Sequence, residues 1–123
     1  MGMDRTILYP GGSVPSWEAI REQLQRVGEA GTIRMIDGLP AFPDENPEPG
    51  WKEIRVGLSA GMVTLRAGSD HLVCVVWGNA DAAMRTAWDK LCWAAAVCGG
   101  VVETPAGQID AAEFARSVGF SPV

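Results

Sequence analysis

Basic residues, histidine and long apolar runs are all scarce in this chain of 123 residues. Lys and Arg number ten against 15 Asp and Glu, for a net charge of −5. This balance disfavours binding to nucleic acid, which needs a clustered cationic surface. No apolar run reaches the roughly 18 residues of a membrane span, and Ile7-Leu8-Tyr9 is too short for a signal-peptide core. We therefore expect neither a membrane nor a nucleic acid as a partner.

Cysteine and histidine are too few and too scattered for a metal site. The three cysteines, Cys74, Cys92 and Cys98, lie in apolar segments and form no Cys-x-x-Cys pair. The single histidine, His71, is three residues from Cys74, so in a strand the two side chains point to opposite faces. We expect buried free thiols in the reducing cytoplasm, and neither a metal nor a cofactor.

No catalytic motif occurs in the structural context that it requires. Ser69, Asp70 and His71 are the right residue types for a triad, but three consecutive turn residues cannot form a hydrogen-bonded relay. The run Gly57–Gly61 has the Gly-x-Ser-x-Gly spacing, but it lies at a predicted turn between two strands and not at the strand-to-helix elbow that this chemistry needs. There is no glycine fingerprint of a nucleotide-binding loop. The sequence therefore predicts no catalytic residues.

The composition, 47% hydrophobic and 20% charged, is typical of a single globular domain covering residues 1–123. The first half predicts a strand at Thr6–Tyr9, a helix that Ser16 caps and Gly28 ends, and a strand at Thr32–Asp37. Four prolines between Gly38 and Gly50 predict an extended surface loop.

Three further strands are predicted at Lys52–Leu58, Met62–Arg66 and Leu72–Trp77, joined by short turns into an antiparallel meander. A long helix capped by Asn79 follows, and a short strand and a helix capped by Asp110 end the chain. The predicted fold is therefore α+β. It has an antiparallel sheet (the meander plus one or two further strands) with helices packed on one face, in the order β-α-β-β-β-β-α with a short C-terminal β/α tail.

The apolar alternation favours a register that pairs Val56 with Leu65 and Leu58 with Val63. This register places Arg55 opposite Arg66, with His71 beside Arg66. Adjacent guanidinium groups repel unless an anion lies between them. Either Glu53 supplies that negative charge, or the three side chains form a shallow binding site for a carboxylate or phosphate.

The strand Leu72–Trp77 is apolar on both faces, and only one face can meet the long helix. Met62, Val73, Val75 and Trp77 then face the other way. Something must cover these side chains, and another part of the same chain is the default expectation. A ligand or a second protein chain is the alternative.

Trp93 lies opposite the apolar stripe of the long helix, near Val97, by the helical repeat of about 100° per residue. It is either covered by Phe114 or Phe120, or it anchors a homodimer or partner interface. The acidic loop residues Asp44, Glu45 and Glu48 are either simply solvated or dock a basic protein partner.

Two functions remain open on these grounds. The first is a small binding or protein-interaction domain that has no catalytic machinery and self-associates. The alternative is a small-molecule domain or enzyme that binds an anionic ligand on the open face of the sheet, with Arg55, Arg66 and His71 lining it.

Overall fold

The structure is a computed structural model that describes residues 2–121. Within this range the chain forms eight strands and three helices, which confirms the α+β class. The strands are β1 (Gly2–Leu8), β2 (Thr32–Ile36), β3 (Leu39–Pro40), β4 (Glu53–Leu58), β5 (Gly61–Ala67), β6 (His71–Trp77), β7 (Val101–Thr104) and β8 (Gly107–Ile109). The helices are α1 (Trp17–Arg26), α2 (Ala82–Val97) and α3 (Ala111–Val118).

All described strands belong to one antiparallel sheet, in the order β3-β2-β4-β5-β6-β1-β7-β8. The predicted meander is present as β4, β5 and β6. The first strand of the chain lies inside the sheet, between β6 and β7. A C-terminal hairpin of β7 and β8 extends the sheet further, where the sequence predicted only one short strand.

The register of the meander differs from the predicted one by two residues. Ile54 pairs with Leu65, and Val56 pairs with Val63. The turn between β4 and β5 contains only Ser59 and Ala60, so the residue pair next to the turn is Leu58 with Gly61. A shift of two residues leaves every side chain on its predicted face, because the side-chain period of a strand is two.

Each helix begins at an acidic or hydroxyl cap. Ser16 accepts a hydrogen bond from the Ala19 amide at 3.2 Å, and Asp110 accepts one from the Glu113 amide at 2.8 Å, as predicted. The cap of α2 is Asp81, which accepts from the Met84 amide at 2.8 Å. The prediction of Asn79 as that cap is therefore wrong by two residues.

The hydrophobic core lies between the helices and one face of the sheet. The inward side chains of the meander, such as Ile54, Leu65 and Cys74, are fully buried beneath this helical layer. Helix α2 is central to the layer, because it contacts α1, α3 and the strands β1, β6 and β7. Six consecutive residues of α2, from Leu91 to Ala96, are buried for that reason.

Candidate functional site

The second face of the sheet, turned away from the helices, is uncovered by the described residues. We call it the open face. Its central side chains come from alternate positions of four adjacent strands: Asp4, Thr6, Glu53, Arg55, Met62, Thr64, Arg66, Val73, Val75 and Trp77. The side chains of Trp77 and Met62 are 69% and 45% exposed. The expectation that another part of the chain covers this face is therefore wrong for residues 2–121.

The open face stays exposed because the helices and the acidic loop, which could have covered it, pack in other places. The three helices and the buried core occupy the other side of the sheet. The acidic loop lies near the strand ends, where residues 46–51 share one cleft with residues 12–14 and another with Ile36 and Asp37. It contributes no residue to the cleft on the open face.

Cross-strand pairing arranges the open face in rows. One continuous row runs Arg55, Thr64, Val75 and Asp4, across β4, β5, β6 and β1. The neighbouring row runs Glu53, Arg66, Val73 and Thr6 over the same strands. The two arginines therefore lie on β4 and β5, β6 contributes two valines, and Asp4 carries negative charge on β1.

Arg55 and Arg66 do not face each other, so that part of the predicted ligand site is wrong. Arg55 lies opposite Thr64, and Arg66 lies opposite Glu53. Glu53 accepts a hydrogen bond from Arg66 Nε at 3.2 Å, and its other carboxylate oxygen is 3.9 Å from Arg55 Nε. The carboxylate thus partly neutralises both guanidinium groups, as the alternative interpretation required.

His71 lies apart from the two arginines. It pairs with Leu8 on β1, and its Nδ1 atom is 3.1 Å from Oδ1 of Asp70. Its ring covers Gly68 so closely that an added Cβ there would collide with the imidazole. The geometry places His71 over the β5–β6 turn and outside the cleft that Arg55 and Arg66 share.

The cleft on the open face has a volume of about 360 Å³. Arg55 and Arg66 line one part, Asp4 another, and Thr64, Val75 and Trp77 lie between them. Apolar area bordered by charges of both signs suits the docking of another surface.

Trp93, the predicted interface anchor, is only 5% exposed. Its ring meets the ring of Phe120 edge to face, with 6.1 Å between centroids and 83° between planes. The chain therefore covers Trp93 itself, which agrees with the intramolecular alternative. Val97, predicted beside it, remains 42% exposed at the end of α2.

The acidic loop is exposed at all three predicted residues, Asp44, Glu45 and Glu48. Glu45 is partly used inside the loop, since its carboxylate accepts a hydrogen bond from the Phe42 amide at 3.2 Å. Phe42 itself is 76% exposed. Docking of a basic partner on this loop stays a prediction.

Two of the three cysteine thiols, Cys74 and Cys98, ionise less readily than an exposed thiol. A hydrogen bond with Cys92 and burial both raise the pKa of the Cys74 thiol well above its ordinary value. Burial also raises the pKa of Cys98. Among residues 2–121, no three His, Cys, Asp or Glu side chains lie together in a group that could hold a metal ion.

Comparison with known proteins finds no match: no family model fits the chain, and no curated protein or solved structure matches it. Within the described range, no helix has the length and apolar character needed to cross a membrane. Any function proposed for this chain therefore rests on its own geometry.

Asp4 is the member of the open face that the sequence analysis missed. The predicted first strand began at Thr6, so Asp4 lay outside it. A signal was nevertheless present, because Asp4 and Thr6 alternate with Met3, Arg5 and Ile7 over the length of β1.

Proposed function

We propose that this chain is a small, non-catalytic protein-interaction domain that self-associates through its open face. The observation that carries the proposal is the exposure of Trp77 and Met62 beside each other on that face, over a floor of valine side chains. Large exposed apolar side chains grouped on one surface are typical of interaction sites, and tryptophan is enriched among the residues that dominate binding.

The contrast with the other tryptophans supports this assignment. Trp17, Trp51, Trp88 and Trp93 are each at most 8% exposed, so the fold buries four of its five indole rings. Trp77 is the exception, and it lies on β6, a strand with neighbours on both sides. A partner surface that covers Trp77 removes this apolar area from water, which is favourable.

Sedimentation velocity over a range of protein concentrations tests the proposal. We expect the wild-type chain to associate, and Trp77→Ser to weaken that association by about tenfold or more. Val97→Ser is the matched control, since Val97 is also exposed but lies on α2. A wild-type chain that remains monomeric, or an equal loss with Val97→Ser, would contradict the proposal.

We propose the cytoplasm as the compartment, because the described structure holds three free cysteines and no disulfide. A basic protein is the other partner class we retain, with the exposed carboxylates Asp44, Glu45 and Glu48 as its docking point.

A second candidate function is binding of a small anionic ligand, and the arginine-lined cleft of about 360 Å³ favours it. Glu53 weakens this candidate, because it already balances part of the charge of Arg55 and Arg66. Thermal shift with inorganic phosphate and with small carboxylates tests it. An anion site predicts a stabilisation that Arg55→Ala and Arg66→Ala each reduce, and an unchanged melting temperature in the wild type excludes it.

A further inference from the structure

We infer that the partner of the open face is the same face of a second copy, related by a two-fold axis parallel to the strands and passing between β5 and β6. In this arrangement Arg55 of each copy faces Asp4 of the other. The inference rests on the proposed function, and it adds the partner surface, the symmetry and the closed dimeric state.

The charges of the open face carry this choice. Arg55 on β4 and Asp4 on β1 belong to the same cross-strand row, separated only by Thr64 and Val75. Both side chains are exposed, and within residues 2–121 Asp4 forms no ion pair. Each copy thus presents one positive and one negative end of a single row.

The position of the axis follows from that row. A two-fold axis along the strands and between β5 and β6 reverses the strand order, so β4 of one copy lies over β1 of the other. The row then lies over itself in reverse, and Arg55 meets Asp4 at both ends. An axis that runs across the strands along this row instead places Arg55 over its own equivalent, where two guanidinium groups repel.

The natural twist of stacked sheets does not destroy this pairing. Aligned sheets pack at about 30°, which over the 1.5 strand spacings from the axis to β4 displaces Arg55 by roughly 4 Å. Successive side chains on one face are roughly 7 Å apart along a strand. The displacement is therefore smaller than one step of the row, and long side chains such as arginine span it.

The same axis also sets the contacts near the centre of the interface, where Arg66 lies over Val73 of the second copy. Thr64 lies over Val75 of the second copy, and Met62, two residues along β5, lies over the exposed Trp77. The four strands β4, β5, β6 and β1, each of about seven residues and 4.8 Å apart, give a plane of roughly 450 Å² per copy, or about 900 Å² in total. This total lies below the standard size of specific interfaces and in the range of transient complexes, so we expect a readily reversible dimer.

Charge reversal tests the inference directly. In Arg55→Asp and in Asp4→Arg, each dimer contact joins like charges, and we expect dimerisation to fall by about tenfold or more in either variant alone. In an equimolar mixture, a heterodimer of the two variants joins opposite charges again at both ends of the row, so association of wild-type affinity is expected. Arg85→Asp, an exposed reversal on α2, is the control.

Circular dichroism of every variant checks that the fold is intact, and Arg55→Gln with Asp4→Asn gives a milder pair in case a reversal fails to fold.

The two-fold arrangement is overturned if Trp77→Ser loses association but the charge reversals have no effect, or if mixing the two reversals does not restore association. Either result leaves the proposed function standing. A monomeric wild type overturns both. The wild type could also form assemblies larger than a dimer that the double variant Glu45→Lys with Glu48→Lys no longer forms. That result overturns the two-fold arrangement and indicates that the acidic loop of one copy contacts the open face of another.

Discussion

Asp37 fixes the return of the acidic loop to the sheet. Its backbone is left-handed, with φ of 48°, in the turn between β2 and β3. One carboxylate oxygen accepts hydrogen bonds from the amides of Lys52 and Glu53, each at 2.9 Å. The bonds from Glu53 and then Lys52 lower the pKa of Asp37 below its ordinary value of 3.8.

We expect Asp37→Asn to lose a stabilisation that depends on pH. Because the folded pKa is lowered, the ionised carboxylate stabilises the fold fully above the ordinary value of 3.8, and the contribution disappears as the pH falls through the folded pKa. Asparagine keeps the left-handed turn and the acceptor oxygen but not the charge. Urea unfolding at pH 7, at pH 5 and below pH 3 should show a difference in the free energy of unfolding between wild type and variant. We expect this difference to be similar at the two higher pH values and smaller below pH 3. A difference that is the same at all three pH values contradicts this role.

Arg5 is a charged residue on the core face of β1. Its guanidinium lies 3.9 Å from the ring centre of Trp88 and 4.9 Å from that of Phe114, and it donates a hydrogen bond to Asp89. Its side chain is only 25% exposed. Arg5 therefore joins the first strand to α2 and α3 through contacts that combine charge, stacking and apolar packing.

We expect Arg5→Ala to lower the free energy of unfolding by about 2 kcal/mol, because it removes the aromatic contacts and leaves Asp89 without its donor. Arg5→Met, which keeps the apolar stem, should lose less. Denaturant unfolding measures both, with the exposed Arg85→Ala as the control. Equal losses in Arg5→Ala and Arg85→Ala would show that Arg5 has no such role.

At the scale of elements, the C-terminus of α2 shows how the helix is fixed to the sheet. The last carbonyl groups of a helix lack partners within it. Here the Tyr9 hydroxyl donates to the Ala95 carbonyl at 2.8 Å, and the Cys98 thiol donates to the Ala94 carbonyl at 3.3 Å. Gly100 follows so closely that an added Cβ would lie 2.7 Å from a methyl carbon of Ile7.

Tyr9→Phe should therefore destabilise the fold by about 1 to 2 kcal/mol, since the Ala95 carbonyl is left buried without its donor. Burial raises the pKa of Tyr9, so the phenol stays a neutral donor throughout the pH range in which the protein is handled. Guanidinium unfolding of wild type and Tyr9→Phe at neutral pH measures the loss. An unchanged midpoint would mean that the hydrogen bond adds nothing to stability.

Local signals in the sequence were sufficient for most elements but not for their ends. The caps Ser16 and Asp110 and the meander depend on neighbouring residues, and these predictions are confirmed. Asn79 and Asp81 are both good caps, and the turn after Trp77, in which the Ala80 amide bonds to the Trp77 carbonyl at 3.1 Å, decides between them. The register in turn depended on a tight turn that periodicity cannot detect, because shifts of two residues preserve the pattern.

The surface could be predicted only in part, because exposure is set by contacts distant in sequence. The apolar open face of β6 followed from its composition, but its lack of cover depended on all three helices packing on the other side. Trp93 was ambiguous because its cover, Phe120, comes from the far end of the chain. The pairing of Arg66 with Glu53 across β4 and β5 could be predicted only once the register was known.

The described part of the molecule has two layers, one of helices and one formed by the sheet, and the outer face of the sheet packs against no third layer. Within the described range of 2–121, an eight-stranded sheet buries one face against three helices and leaves the other in water. Two such sheets stacked on their open faces would form a sandwich of helices, two sheets and helices, in which both faces of each sheet are covered. The self-association that we propose would bury the face that the single chain leaves exposed.

If the dimer forms, folding and association are linked by mass action, so the melting temperature should rise with protein concentration. A hundredfold increase in concentration adds about 1.4 kcal/mol per chain, which corresponds to roughly 5 °C for a domain of this size. Calorimetry over that range should show the shift in the wild type and lose it in Trp77→Ser, while Val97→Ser keeps it. A wild-type melting temperature independent of concentration would mean that the open face stays in water in the folded protein.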